Sequence, residues 1–235
     1  MKIDMIGFDA DDTLWYTEIH YIKAQEAVKK LLHPWGTDET IAQVIDRAIL
    51  DNLARYGYGI KAFILSLIEA AIHASGGEIR GEQIEQILSI GKSMLAAEIV
   101  LRPHVAETLC KLAPTFPMMI ITKGDLLDQT TKVKRSGIAN YFSAVEIVND
   151  KTEEAYTRLF EKYDINPRNF LMIGNTIRSD IQPVLALGGT AVHIPAESTW
   201  AHETSQGFNT AQNGFYELAH MGELTELVAR INHAD

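Results

Sequence analysis

Three aspartates, Asp9, Asp11 and Asp12, follow the apolar run Ile6-Gly7-Phe8 with only Ala10 between them. Like charges repel, and ionised groups avoid low-dielectric surroundings. A cation or a chemical task should therefore hold them there. Other apolar runs end in equally reactive company. Thr122, Lys123, Gly124 and Asp125 follow "MMII"; Asn149, Asp150 and Lys151 follow "AVEIV". Gly174, Asn175 and Thr176 follow "FLMI", with Asp180 one turn later. Carboxylates, a hydroxyl before a glycine-containing turn, a lysine and an amide suit a phosphate and a divalent cation sharing one site. Oxygen donors of this kind favour Mg2+, which keeps waters and bridges to phosphate. With Asp150 as cap and Glu153 closing a capping box, Lys151 would lie in the first turn of a helix. There it opposes the helix dipole by a few tenths to about 1 kcal/mol, a hint that it serves something else.

These groups need elements to bring them together. Ile3 to Phe8 reads as a short, doubly buried strand of a parallel sheet. From about Tyr16 to Ala97 the apolar residues keep a helical period, most strongly at Ile60, Phe63, Ile64, Leu67, Ile68, Ala71 and Ile72. "HPWGTDE", "RYGYG" and "ASGGE" break this region into about four helices. After Arg102-Pro103, helix and strand alternate. Helices are expected over 104–112, 126–136, 152–163 and 177–187, and strands over 117–122, 143–148, 169–174 and 189–194. The first strand must join that later sheet, because it could not be stable alone. The expected fold is α/β: a doubly wound parallel-sheet core of residues 1–15 and 98–235, with an all-helical domain, 16–97, inserted. In such sheets ligands bind beyond the carboxyl ends of the strands, where the reactive residues fall.

The 235 residues carry a formal net charge of −10 and a single cysteine, Cys110. The acidic balance argues against nucleic acid or an anionic membrane as partner, since both call for a basic face. One cysteine permits no internal disulfide, which suits a reducing cytoplasm. The opening "MKIDMIGFD" is too acidic for a signal peptide, and no apolar run reaches membrane-spanning length. A small phosphorylated metabolite is the expected partner, taken up by a monomer or homodimer.

The residues so assembled resemble the haloacid dehalogenase superfamily, in its branch of phosphatases with a helical cap. "DADDT" is similar to that family's first motif, Thr122 to its second, Lys151 to its third and "GNTIRSD" to its fourth. The helical insertion falls where the family places its cap. The resemblance implies that Asp9 is the nucleophile, forming an aspartyl-phosphate, and that Asp11 is the general acid and base. It implies that Thr122, Lys123 and Lys151 bind the phosphoryl group. Mg2+ would be held by Asp9, the Asp11 backbone carbonyl, Asn175 and Asp180. Crowding by other carboxylates should raise the Asp11 pKa. Dehalogenases attack carbon without a metal and usually lack the second aspartate, so Asp11 favours phosphate chemistry.

Two positions depart from the family pattern. Asp12 replaces the usual glycine and should point away from the nucleophile. Asn175 replaces a metal-binding aspartate and should weaken Mg2+ affinity without abolishing activity. Asn175 also keeps open a phosphate-ester sensor that binds without turnover; a phosphoryl mutase is a further alternative.

Other patterns carry less. "DADDT" fails as a calcium loop, with Leu14 at the sixth position and His20 at the twelfth. Gly57-x-Gly59-x-x-Ala62 follows no strand, which argues against a dinucleotide fingerprint. "RYGYGIK", 55–61, is either an aromatic helix linker or a specificity loop in which Tyr56, Tyr58 and Lys61 face the substrate. Trp15 could line the same cleft. "STWAHE", 198–203, follows the last expected strand and has no role beyond its position.

Overall fold

The structure, a computed structural model, describes residues 2–197, 200 and 207–233. The chain divides into two compact units. One takes in 1–18, 99–123 and 131–235; the other comprises 19–98 and 124–130.

The first unit is built on a six-stranded sheet of β1 (Met5–Phe8), β2 (Met118–Lys123), β3 (Ala144–Val148), β4 (Phe170–Gly174), β5 (Thr190–His193) and β6 (Phe215–Glu217). The order is β3-β2-β1-β4-β5-β6, and every neighbouring pair is parallel. β1 is central because its residues are apolar on both faces, as a strand covered on both sides requires. Period-two alternation splits the sheet into two cores. Ile6, Phe8, Ile120, Leu171, Ile173 and Val192 pack with residues of the helices Val105–Leu112, Leu126–Arg135 and Leu224–His233. Met119, Ile121, Phe170, Met172 and Ala191 pack on the other face with Tyr156, Leu159 and Phe160 of the helix Glu153–Tyr163, and with Val184. Gly7 fits because a Cβ there would meet the Phe170 ring at 2.5 Å.

The second unit holds four helices, α1 (Glu18–Leu32, whose first residue belongs to the sheet unit), α2 (Asp38–Tyr56), α3 (Ile60–Ala74) and α4 (Gly81–Ala96). Their apolar stripes form a separate core around Val28, Leu32, Ile45, Leu67 and Ile87. α3 and α4 approach closely at Gly91, where a Cβ would meet Ile64 at 2.6 Å. In chain order the remaining helices are α5 (Val105–Leu112), α6 (Leu126–Arg135), α7 (Glu153–Tyr163), α8 (Gln182–Ala186) and α9 (Leu224–His233); the first half of α6, 126–130, belongs to the helical unit and the rest lies in the sheet unit. Among the described residues, no helix is long and apolar enough to cross a membrane.

Several boundaries differ from the sequence expectation. α7 is capped by Thr152, whose hydroxyl accepts from the Ala155 amide. Lys151 therefore precedes the helix instead of opposing its dipole from the first turn, and Asp150 accepts from the Lys151 amide. The segment expected to be helical over 177–187 opens as one π-turn, Ile177–Ile181, before α8. β6 and α9 were not expected at all.

Candidate active site

Asp9 lies one residue beyond β1, and Asp180 sits in the π-turn after β4. Lys151 reaches between them: its Nζ is 2.5 Å from Asp9 Oδ1 and 2.6 Å from Asp180 Oδ1. All three are buried. A charged trio without water is stable only when paired and hydrogen-bonded. Here the second oxygens are also engaged. Thr13 Oγ1 donates to Asp9 Oδ2 at 2.8 Å, and Thr176 donates to Asp180 Oδ2 from both its amide and its hydroxyl. Burial pushes the Asp9 carboxyl up to about 7, with Lys151 opposing the rise and Asp180 adding to it. For Lys151, burial favours the neutral amine. Asp180 and Asp9 outweigh it and hold the group above the ordinary lysine range. The buried Tyr156, whose hydroxyl donates to the Ser179 carbonyl, packs beside this trio and is raised well above its ordinary value, chiefly by burial.

Asn175 joins the group through the same threonine. Its Oδ1 lies 3.2 Å from Thr13 Oγ1, while His193 Nε2 is 3.1 Å from its backbone carbonyl. The single Thr13 proton cannot fully serve both Asp9 Oδ2 and Asn175 Oδ1. Two buried oxygens thus share one donor, an arrangement that a hard cation relieves. Asp9, Asn175 and Asp180 offer oxygen donors of the kind Mg2+ takes, and the Asp11 carbonyl would be a further one. The residues fit the ion, though with less charge than a set carrying aspartate at 175. Among the described residues, no group of three or more His, Cys, Asp or Glu side chains is arranged around a common metal position.

Asp11 is held differently. Its Oδ1 accepts from Trp15 Nε1 at 2.8 Å, Thr17 Oγ1 at 2.8 Å and Lys132 Nζ at 3.1 Å, and Lys132 lies 3.3 Å from Oδ2. Its neighbours sit in drier surroundings. Burial raises Asp12 to about 6 and Glu18 to about 7, with Asp11 adding to both. Asp12 does point into the start of α1. Its carboxylate accepts from the Thr17 and Glu18 amides, and its φ of 60° explains why a glycine suits the position. Arg102 donates to the Asp12 carbonyl and, at 3.1 Å, to the Pro195 carbonyl, fixing the loop.

The remaining expected residues are placed as follows. Thr122 is buried at the end of β2. Lys123 follows it, with Nζ 2.9 Å from Ser179 Oγ and 3.9 Å from Asp150 Oδ1, so its ammonium bridges two strand ends. Trp15 is no cleft residue: its ring is fully buried in the core and its indole N–H supports Asp11. Inside the helical unit, Tyr56 donates to Glu69 at 3.0 Å, and Lys61 Nζ pairs with Asp125 Oδ1 at 2.9 Å. Tyr58 is half-buried in the loop between α2 and α3. Of the stretch 198–203, all but Trp200 lies outside the described residues. Lys132, Arg102 and His193 escaped the sequence reading, since none stands at a motif position.

A sequence model described as "haloacid dehalogenase-like hydrolase" matches residues 3–188. A haloacid dehalogenase-like family hydrolase from Xanthomonas campestris is 30% identical, with a TM-score of 0.88 over 98% of this chain and 92% of that one. A 2-haloacid dehalogenase from Pseudomonas syringae pv. Tomato is 20% identical, with a TM-score of 0.65 over 97% of this chain and 99% of that one. A putative HAD-hydrolase from Bacillus subtilis, bound to magnesium, is 15% identical, with a TM-score of 0.66 over 97% and 99%. The last two likenesses show the fold alone. No curated protein sequence matches the chain.

Proposed function

The chain belongs to the haloacid dehalogenase-like hydrolases, and on that footing we propose that it hydrolyses a small phosphomonoester with Mg2+. The observation that carries this reading is Asp11. A second carboxyl group stands two residues beyond the nucleophile and is fixed by three side-chain donors. Attack at carbon would leave so costly an arrangement without a task, whereas a phosphate ester needs its leaving oxygen protonated.

In this reading an Asp9 oxygen attacks phosphorus and the bond to the leaving oxygen breaks. Asp11 gives that oxygen its proton. Water then attacks the aspartyl-phosphate, Asp11 takes the water's proton, and the bond from Asp9 to phosphorus breaks to release inorganic phosphate. Lys151 keeps positive charge against Asp9 throughout, and Thr122 adds a hydroxyl donor at the end of the neighbouring strand. Asp9, Asn175, Asp180 and the Asp11 carbonyl would hold Mg2+, which supplies charge neutralisation at the phosphoryl oxygens.

A second reading, displacement of halide from a 2-haloacid, is favoured by one observation. Lys151 is itself a cation seated between both carboxylates. The test is a panel of phosphomonoesters and 2-haloacids, with Mg2+ or with EDTA, run for the wild type and Asp9→Asn. Phosphate release that needs Mg2+ and falls by at least ~10³-fold in Asp9→Asn supports the phosphatase. Halide release persisting in EDTA replaces it with the second reading. Ester binding without turnover makes the protein a sensor.

A further inference from the structure

We infer that Lys132 is a positioning residue for proton transfer, holding the Asp11 carboxyl group in the one orientation from which it serves the leaving oxygen; this rests on the phosphatase reading. Lys132 lies on α6, and its side chain is only 8% exposed. Its ammonium spans both Asp11 oxygens, at 3.1 and 3.3 Å, from 121 residues away in sequence. Lysine is rarely so buried, because removing its charge from water costs several kcal/mol, and a buried pair seldom returns that as stability. The arrangement is better explained by what it does to Asp11. Trp15 and Thr17 both donate to Oδ1, whereas the Lys132 ammonium lies within reach of both oxygens and so fixes the plane of the carboxyl group. Trp15 and Thr17 come from the same loop as Asp11. Lys132 is anchored on a helix whose neighbour Val133 is packed into the core beneath the sheet. It thereby references Asp11 to the rigid part of the molecule.

The consequence depends on the leaving group. An alkyl phosphate needs a proton delivered as its bond breaks, whereas p-nitrophenolate leaves without one. In Lys132→Met, kcat/KM for an alkyl phosphate should fall about 10²-fold, and for p-nitrophenyl phosphate about threefold or less. With p-nitrophenyl phosphate, acid quenching should trap phosphorylated Asp9, because its hydrolysis still relies on Asp11. Lys132→Arg, which can also span a carboxylate, should restore much of the alkyl-ester rate. Lys134→Met, an exposed charge loss on the same helix, should match the wild type. Equal losses on both esters, or no loss, overturn the inference and leave the phosphatase reading standing. No wild-type turnover on either ester overturns both. Should Lys132→Met fail to fold, Lys132→Gln carries the same comparison.

Discussion

Asp12 illustrates how a single residue serves two demands that the usual glycine divides differently. Its left-handed φ of 60° favours glycine, yet its carboxylate caps α1 through the Thr17 and Glu18 amides. Asp12→Ala should lose the cap and keep the backbone strain, costing about 2 kcal/mol in urea unfolding. Asp12→Gly should cost roughly half of that, because glycine relieves the strain. Equal losses would mean that the backbone conformation carries no weight. Asn175 makes the second argument at this scale. Its amide oxygen shares the Thr13 proton with Asp9 and brings no charge of its own. Asn175→Asp should lower the Mg2+ concentration for half-maximal turnover by about tenfold, or ~1.4 kcal/mol. An unchanged Mg2+ dependence would remove Asn175 from the ion's surroundings.

Among the elements, the β4–π-turn connection decides whether Asp180 can meet Lys151. A Cβ on Gly174 would stand 2.3 Å from the Asp180 carboxyl group, so only glycine lets the turn fold back this tightly. Gly174→Ala should destabilise by about 1–3 kcal/mol and displace Asp180 from Lys151. The check is urea unfolding beside turnover, and wild-type values of both would show that the turn can relax. Five of the strands were legible because their residues are apolar almost throughout, and Gly137 and Gly188 mark the ends of helical segments with positive φ. β6 was not legible: Phe215–Glu217 is three residues at a sheet edge, too short for a period to register. The start of α7 misled because Asp150 and Thr152 are both good caps, and the choice between them is made by Lys151 reaching inward to Asp9 and Asp180. Asp9, Lys151 and Asp180, all named at strand ends, meet in the structure. Lys132 and Arg102 stayed hidden because a lysine or arginine in a helix or loop gives no sign of which distant carboxylate or carbonyl it will meet.

For the molecule as a whole, the pH dependence of stability follows from carboxyl groups that fold into dry surroundings. Glu18 rises from 4.5 to about 7 on folding, through burial first and then the Asp12 and Asp11 charges. Its folded form holds the proton more tightly than its unfolded form. The associated stability is therefore complete below about pH 4.5 and is lost as pH rises towards 7. Glu18→Gln should leave the melting temperature unchanged near pH 4 and raise it near pH 8. The gain should be about 1–2 kcal/mol once solvent screening is counted. Parallel melting curves for the two proteins across pH 4–8 would rule this out. The position of β1 in the sheet also governs how the chain comes off the ribosome. β1 pairs only with β2 and β4, and β4 begins roughly 160 residues after β1 ends. At about 5–20 residues per second, the strand that leads into Asp9 waits some ten to thirty seconds for its second partner. The helical segment has completed its own core by Met94, well before that. During synthesis an apolar strand thus stays without its second partner while a helical block has already closed its own core.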